Sequence, residues 1–140
     1  MGVAVAVDEL GRAVKQLQYR HHRGLDHRLR EVGTSLAQWD ALRAISRRPN
    51  ASAHALAEMT FQSDQSFGSL AKRLRKRGWI DRVEGPGRAI RHRLTPAGEA
   101  VLKKGHAAAA EVLEASFGPL SPRQRQDLYR LISRALAGGG

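Results

Sequence analysis

Apolar residues along this chain recur in two rhythms, helical at both ends and alternating in a short central stretch. Leu10, Val14, Leu17, His21, Leu25 and Leu29 fall at helical spacing and predict a long first helix, weakened or bent at Gly24 and ended by Gly33. Ser35 with Gln38 reads as a capping box for a second helix, whose apolar face is Leu36, Trp39, Leu42 and Ile45. Pro49 and Asn50 break the chain, and Ser52 caps a short third helix holding Leu56 and Met59. A fourth helix starts near Ser63 or Asp64 and ends at Gly78, with Phe67, Leu70, Ala71 and Leu74 at i, i+3, i+4 and i+7. At 100° per residue, Gln65, Ser69, Lys72 and Lys76 lie opposite that face, with Ser66 and Arg73 on one flank. Only residues 60–63 separate the third and fourth helices, which is helix-turn-helix spacing.

The alternating stretch follows. Residues 79–84 and 89–94 read as strands about a turn at Gly85-Pro86-Gly87, with Ile80 and Leu94 facing inward. Thr95-Pro96 opens an alanine-rich fifth helix that runs to about Phe117. Ser121, Pro122 and Gln124 repeat the capping logic for a sixth, whose apolar set is Leu128, Leu131, Ile132, Ala135 and Leu136. The tail, Gly138 to Gly140, is expected to be disordered. The fold class is therefore mainly α, six helices with a small β-hairpin, in a single domain over residues 1–140.

Charge says what this scaffold meets. Of 24 Lys and Arg residues, nine fall within residues 72–93 against only Asp81 and Glu84, on a chain of net charge +11. Cations concentrated on one helix and one hairpin point to a polyanion, since neutralised phosphates release condensed counterions. There is no cysteine, which excludes disulfides, thiolate metal sites and thiol redox sensing. No apolar run approaches a membrane span, and the start MGVAVAV, followed by Asp8 and Glu9, lacks the pattern of a signal peptide. The expectation is a cytoplasmic protein that does not engage membranes.

Six motifs, in order, resemble the MarR family of bacterial transcriptional regulators. Ser35-x-x-Gln38-Trp39-x-x-Leu42 is similar to the opening of the family's second helix, and Ala55-Leu56-Ala57 followed by Leu70 to Trp79 to its helix-turn-helix. Arg82 to Arg93, then Leu94-Thr95-x-x-Gly98, resembles its wing and the start of the following helix, and Leu120-Ser121 its carboxy-terminal segment. The wing departs from the family in one respect: Gly85-Pro86-Gly87-Arg88 keeps the tip arginine without the aspartate of an Asp-x-Arg pattern. The resemblance implies a homodimeric winged helix-turn-helix protein. Residues 1–33 and 96–137 supply the dimerisation helices and residues 34–95 the DNA-binding lobe. Two such lobes read a near-palindromic double-stranded operator with half-sites about one helical turn apart.

On that reading Gln65, Ser66 and Ser69 reach base edges, while Gln62 and Ser63 at the turn contact base or phosphate. Ser63 also reads as a plain helix cap, and Asp64 as a first-turn residue favoured by the helix dipole. Lys72, Arg73 and Lys76 are assigned to phosphates, Arg88 to the minor groove, and Arg91 and Arg93 to the backbone along one strand face. His21, His22 and Trp39 are candidates for a pocket that takes a small aromatic acid or phenol; the competing reading is that Trp39 is core and the histidines pack or face water. His22 and Asp26 have i, i+4 spacing, but no third ligand accompanies them, so neither metal nor cofactor is expected. No nucleophile–base order, phosphate loop or paired carboxylates stand out, so the chain does not read as an enzyme. The sequence-level expectation is a repressor released by an aromatic or phenolic ligand. The alternative is a nonspecific nucleoid-type DNA-binding protein without effector.

Overall fold

The computed structural model describes residues 4–84 and 90–139 of the 140. The order is α1 (Val7–Glu31), α2 (Leu36–Arg47), α3 (Ala53–Met59), α4 (Asp64–Lys76), β1 (Ile80–Glu84), β2 (Ile90–Leu94), α5 (Pro96–Phe117) and α6 (Pro122–Gly138). Six helices and one antiparallel hairpin match the class read from the periodicities. The hairpin register pairs Ile80 with Leu94 and Arg82 with His92. The expected turn at Gly85-Pro86-Gly87 and the tip Arg88 lie outside the described residues.

Local chemistry sets the helix boundaries. Five helices begin at a hydroxyl: Ser35, Ser52, Ser63, Thr95 and Ser121 each accept from the backbone N–H three residues on. Each cap contributes about 1 kcal/mol. Ser121 and Gln124 close a full capping box, whereas Ser35 and Gln38 make only half of one. The Gln38 Oε1 accepts instead from Arg77 Nη1 at 3.1 Å and Thr34 Oγ1 at 3.3 Å, tying α2 to the end of α4. The α1 start has no side-chain cap, but Asp8 and Glu9 meet its positive end and Arg28 and Arg30 its negative end.

Three helices stop in one way. After α1, Gly33 (φ 91°) donates to the Arg30 carbonyl and Thr34 N–H to that of Leu29. After α4, Gly78 (φ 76°) donates to Arg75 and Trp79 to Leu74. This paired bonding satisfies two free carbonyls and needs a left-handed residue, for which glycine is suited. After α3 the same bonds run from Phe61 to Glu58 and from Gln62 to Ala57, but the left-handed residue is Phe61 (φ 57°). Among the described residues no other side-chain-bearing residue has a positive φ. A Cβ there costs about 1 kcal/mol.

The core lies within the lobe formed by α2, α3, α4 and the hairpin. Leu42, Ile45, Leu56, Phe67, Leu74 and Ile80 are all buried to 1 % exposure or less, so the apolar faces read for α2 and α4 are the ones that pack. The α5 helix runs against α1 and α2 and adds Leu102, Ala108 and Ala109 to this core. The α1 helix continues unbroken through Gly24, the position read from sequence as one of weakening or bending. Gly24 faces α5, where an added Cβ would stand 3.0 Å from Val112 Cγ1, so its absent side chain admits the neighbouring helix. Gly98 has a similar reason at the base of the lobe, since a Cβ would fall 2.0 Å from the Trp79 carbonyl oxygen. That carbonyl accepts from Thr95 N–H, and Thr95 Oγ1 donates to Gly78 O at 2.6 Å. The Leu94-Thr95-x-x-Gly98 segment thus seats α5 directly on the end of the fourth helix.

Large apolar faces stay uncovered. α6 buries none of its residues, leaving Leu131 at 57 % and Leu136 at 74 % exposure, and on α1 Leu10 and Val14 are similarly open. Among the described residues no helix is long and apolar enough to cross a membrane.

Candidate nucleic-acid interface

α4 presents one polar face and hides the other. Phe67, Leu70, Ala71 and Leu74 are buried, while Ser63, Gln65, Ser66, Ser69, Lys72, Arg73 and Lys76 are exposed. Gln62, Gln65, Ser66, Ser69 and Arg73 line a groove bounded on its far side by Ala37. The structure therefore brings five of the proposed DNA contacts to one surface. Ser63 serves as the helix cap: its Oγ accepts from Ser66 N–H at 3.1 Å and donates to Ser66 Oγ at 3.0 Å.

The cations divide by what they already touch. Lys72, Arg73 and Lys76 make no ion pair or side-chain hydrogen bond among the described residues. Arg77 is different, because its guanidinium binds Gln38 and the Gly33 carbonyl and lies 4.0 Å from the Trp79 ring centroid. On β2, Arg93 is exposed and Arg91 half-buried on the same strand face, with Arg91 Nη1 donating to the Ile90 carbonyl. Between them His92 turns inward.

His92 escaped the sequence reading. It is 6 % exposed, edge-on to Phe67 with ring centroids 6.3 Å apart, and its Nδ1 has no hydrogen-bond partner among the described residues. Burial, with Arg75 and Arg82 nearby, holds its pKa below the ordinary imidazole value, so the ring is neutral in the packed hairpin. The signal was present: in an alternating strand His92 shares a face with Leu94, read as inward, and lies opposite Arg91 and Arg93.

A second histidine ties α3 to α4. His54 Nδ1 lies 2.9 Å from an Asp64 carboxylate oxygen, and its Nε2 lies 3.0 Å from Glu58 Oε1. The i, i+4 pair with Glu58 is visible in sequence, but Asp64 reaches it only through the helix-turn-helix bend. Asp64 therefore braces the turn as well as opening α4. The hydrogen bond and charge of Asp64, then Glu58, raise the His54 pKa above 6.5. Its stabilising contribution is whole below that value and is lost as pH climbs through the raised one. His54→Gln should accordingly lower Tm at about pH 6 and make no difference at about pH 9. Thermal unfolding of both proteins across that range checks it; a Tm difference independent of pH would remove the imidazolium from the brace.

Between the lobe and the long helices lies a cleft of about 680 Å³. His22 and Trp39 both line it, with Asp40, Arg43, Arg47, Phe61 and His106. His21 does not join them. Successive helical residues point about 100° apart, and His21 Nε2 sits 2.7 Å from Ser116 Oγ with its ring edge-on to Phe117, on the α1–α5 seam. Trp39 is only 7 % exposed: its indole N–H donates to Leu102 O at 3.3 Å, His106 meets it edge-on, and Arg43 lies 5.9 Å from its ring centroid. It is a core residue showing an edge to the cleft. Burial raises the Asp40 carboxyl above its usual range, against the pull of Arg43. Asp26, paired with His22 in the sequence reading, is committed elsewhere. It accepts from Leu36 N–H at 3.0 Å and Arg30 Nε at 2.8 Å, which lowers its pKa.

Known proteins share this architecture. The sequence model of the MarR family matches residues 32–89, the lobe from the end of α1 into the hairpin. A mutant MarR from E. coli, crystallised with operator DNA, superposes with a TM-score of 0.82 at 20 % identity, covering 91 % of this chain and 94 % of that one. A probable transcriptional regulator from Pseudomonas aeruginosa is 29 % identical, with a TM-score of 0.78 over 91 % of this chain and 97 % of that one. BpsR of Bordetella bronchiseptica, whose DNA binding is regulated by 6-hydroxynicotinic acid, gives a TM-score of 0.80 at 20 % identity over 91 % and 98 %. No curated protein is similar enough in sequence to count as a match. The model of the MarR family thus matches the winged lobe, and the fold of the chain along nine-tenths of its length is that of MarR.

Proposed function

We propose that the protein is a homodimeric, cytoplasmic repressor that reads a near-palindromic operator in double-stranded DNA and is released by a small aromatic or phenolic acid. The observation that carries the DNA-reading part is the exposed face of α4, where Gln65, Ser66 and Ser69 stand beside the exposed cations Lys72, Arg73 and Lys76. Amide and hydroxyl groups near the start of such a helix hydrogen-bond base edges, while the cations hold phosphates and set the register. Arg91, Arg93 and the tip Arg88 extend the cationic track along the hairpin, with Arg88 assigned to the minor groove. The uncovered faces of α1 and α6 support pairing of two chains, which places two lobes on two half-sites.

The effector part rests on the cleft. An acid bound there meets the guanidinium groups of Arg43 and Arg47 and the imidazoles of His22 and His106. It lowers operator affinity only by its preference for a lobe placement that misfits the operator.

Selection from random duplexes tests the reading. Enrichment of two half-sites about ten base pairs apart, bound far more tightly than random duplex at equal salt, supports it. No enrichment would favour the nonspecific nucleoid-type alternative. On the selected site, Gln65→Ala or Ser69→Ala should relax base preference, each costing about 1–3 kcal/mol against the cognate sequence. Unaltered specificity in both variants, measured by competition binding, would move the reading face away from these residues.

A further inference from the structure

We infer that Phe61 is the residue through which an aromatic acid in the cleft acts on the DNA-reading helix. The inference rests on the effector reading above and names how that site is coupled.

Phe61 is anomalous twice over. It takes the left-handed helix-ending position that Gly33 and Gly78 take elsewhere in this chain, and its side chain is 94 % exposed. The fold draws no packing from a ring so exposed, and the backbone would be easier with glycine. Both features disfavour Phe for stability, so its use lies in something the ring meets. Its position says what: Phe61 walls the same cleft as Trp39, Arg43 and Arg47. Trp39 offers only an edge, with a guanidinium near its face, so Phe61 supplies the open aromatic surface there. A ligand ring stacked on it removes apolar area from water, while Arg43 and Arg47 take the carboxylate.

The connection to DNA is two residues long. Gln62 lines both the cleft and the groove with Gln65, Ser66 and Ser69, and Ser63 caps α4. The turn is held by Phe61 N–H on the Glu58 carbonyl and Gln62 N–H on that of Ala57. Drawing the ring toward a ligand lets the strained φ relax, loosens those two bonds and re-aims the start of α4. Bound acid thus favours a turn that misplaces Gln65 and Ser69 on the operator, and this differential preference is what shifts the population.

The test uses the full-length protein on its selected operator, with 6-hydroxynicotinic acid and salicylic acid as probes. Phe61→Gly keeps the left-handed turn and removes the ring; Phe61→Tyr keeps the ring. The glycine variant is expected to hold the operator within about threefold of wild type, yet to need about tenfold more acid, or more, for half-release. The tyrosine variant is expected to respond as wild type does. Half-release of Phe61→Gly at the wild-type acid concentration overturns the role of the ring while leaving the effector cleft standing. A glycine variant that loses operator affinity but keeps its acid response assigns the ring to DNA instead. If calorimetry finds neither acid binding to wild type, and neither releases DNA, the effector reading fails and takes this inference with it.

Discussion

Leu131→Asp is expected to convert the proposed dimer into monomers, or into insoluble protein, and to cut affinity for a two-half-site operator by a factor of about a hundred or more. Leu131 is 57 % exposed in the single chain, in a helix that buries nothing of its own, beside Ile132 at 46 % and Leu136 at 74 %. Such a contiguous face on a regulator's terminal helix is covered by a second copy on the proposed reading, and the open residues Leu10 and Val14 of α1 belong to the same apolar surplus. An unpaired carboxylate placed inside that contact costs about 3–5 kcal/mol. Once monomeric, each lobe binds its half-site alone and the avidity of two linked lobes disappears. Leu131→Met serves as the control, since it keeps volume and polarity nearly constant. Sedimentation across a concentration series, paired with operator titration, reads both effects. A soluble Leu131→Asp protein that stayed dimeric would place the interface elsewhere.

Replacing Lys72, Arg73 and Lys76 together with Gln should reduce the slope of log affinity against log salt by about three. At about 0.15 M salt, that slope corresponds to about a hundredfold weaker binding on every duplex, cognate or random. The fold should survive, because all three side chains are exposed and Gln is a good helix former. Arg77 makes the informative contrast. Its charge lies on the same helix end, but its guanidinium holds Gln38, the Gly33 carbonyl and the Trp79 face. Arg77→Gln should therefore lower Tm and leave the salt slope nearly unchanged. Fluorescence anisotropy at several salt concentrations separates the two variants. An unchanged slope in the triple variant would remove α4 from the phosphate contacts.

Much of this protein was legible one helix at a time. The spacing of Phe67, Leu70, Ala71 and Leu74 determined which face of α4 is core and hence which face is open, because helical geometry ties side-chain direction to position. The hydroxyls of Ser35, Ser52, Ser63, Thr95 and Ser121 marked five helix starts, since a cap satisfies donors only three residues away. The cluster of cations on α4 and the hairpin, and the absence of cysteine, set the class of partner and excluded thiol chemistry without reference to any contact.

Contacts between distant segments were decided by the tertiary structure alone. His21 and His22 are neighbours in sequence, yet one meets Ser116 on the α1–α5 seam and the other faces the cleft, because the packing of α5 chooses between directions 100° apart. His106 enters beside Trp39 from a helix that sequence spacing does not relate to it, and Asp64 finds His54 only after the chain has turned. Gly24 looked like a weak point in α1 and is a seat for Val112 of α5. Phe61 breaks the glycine pattern that Gly33 and Gly78 obey, so no local rule announced a helix end of that kind there. Periodicity and capping act within a few residues and survive in a single sequence. Which cation is free, which histidine shares a cleft and which glycine admits a neighbouring helix depend on what another segment brings to the same place.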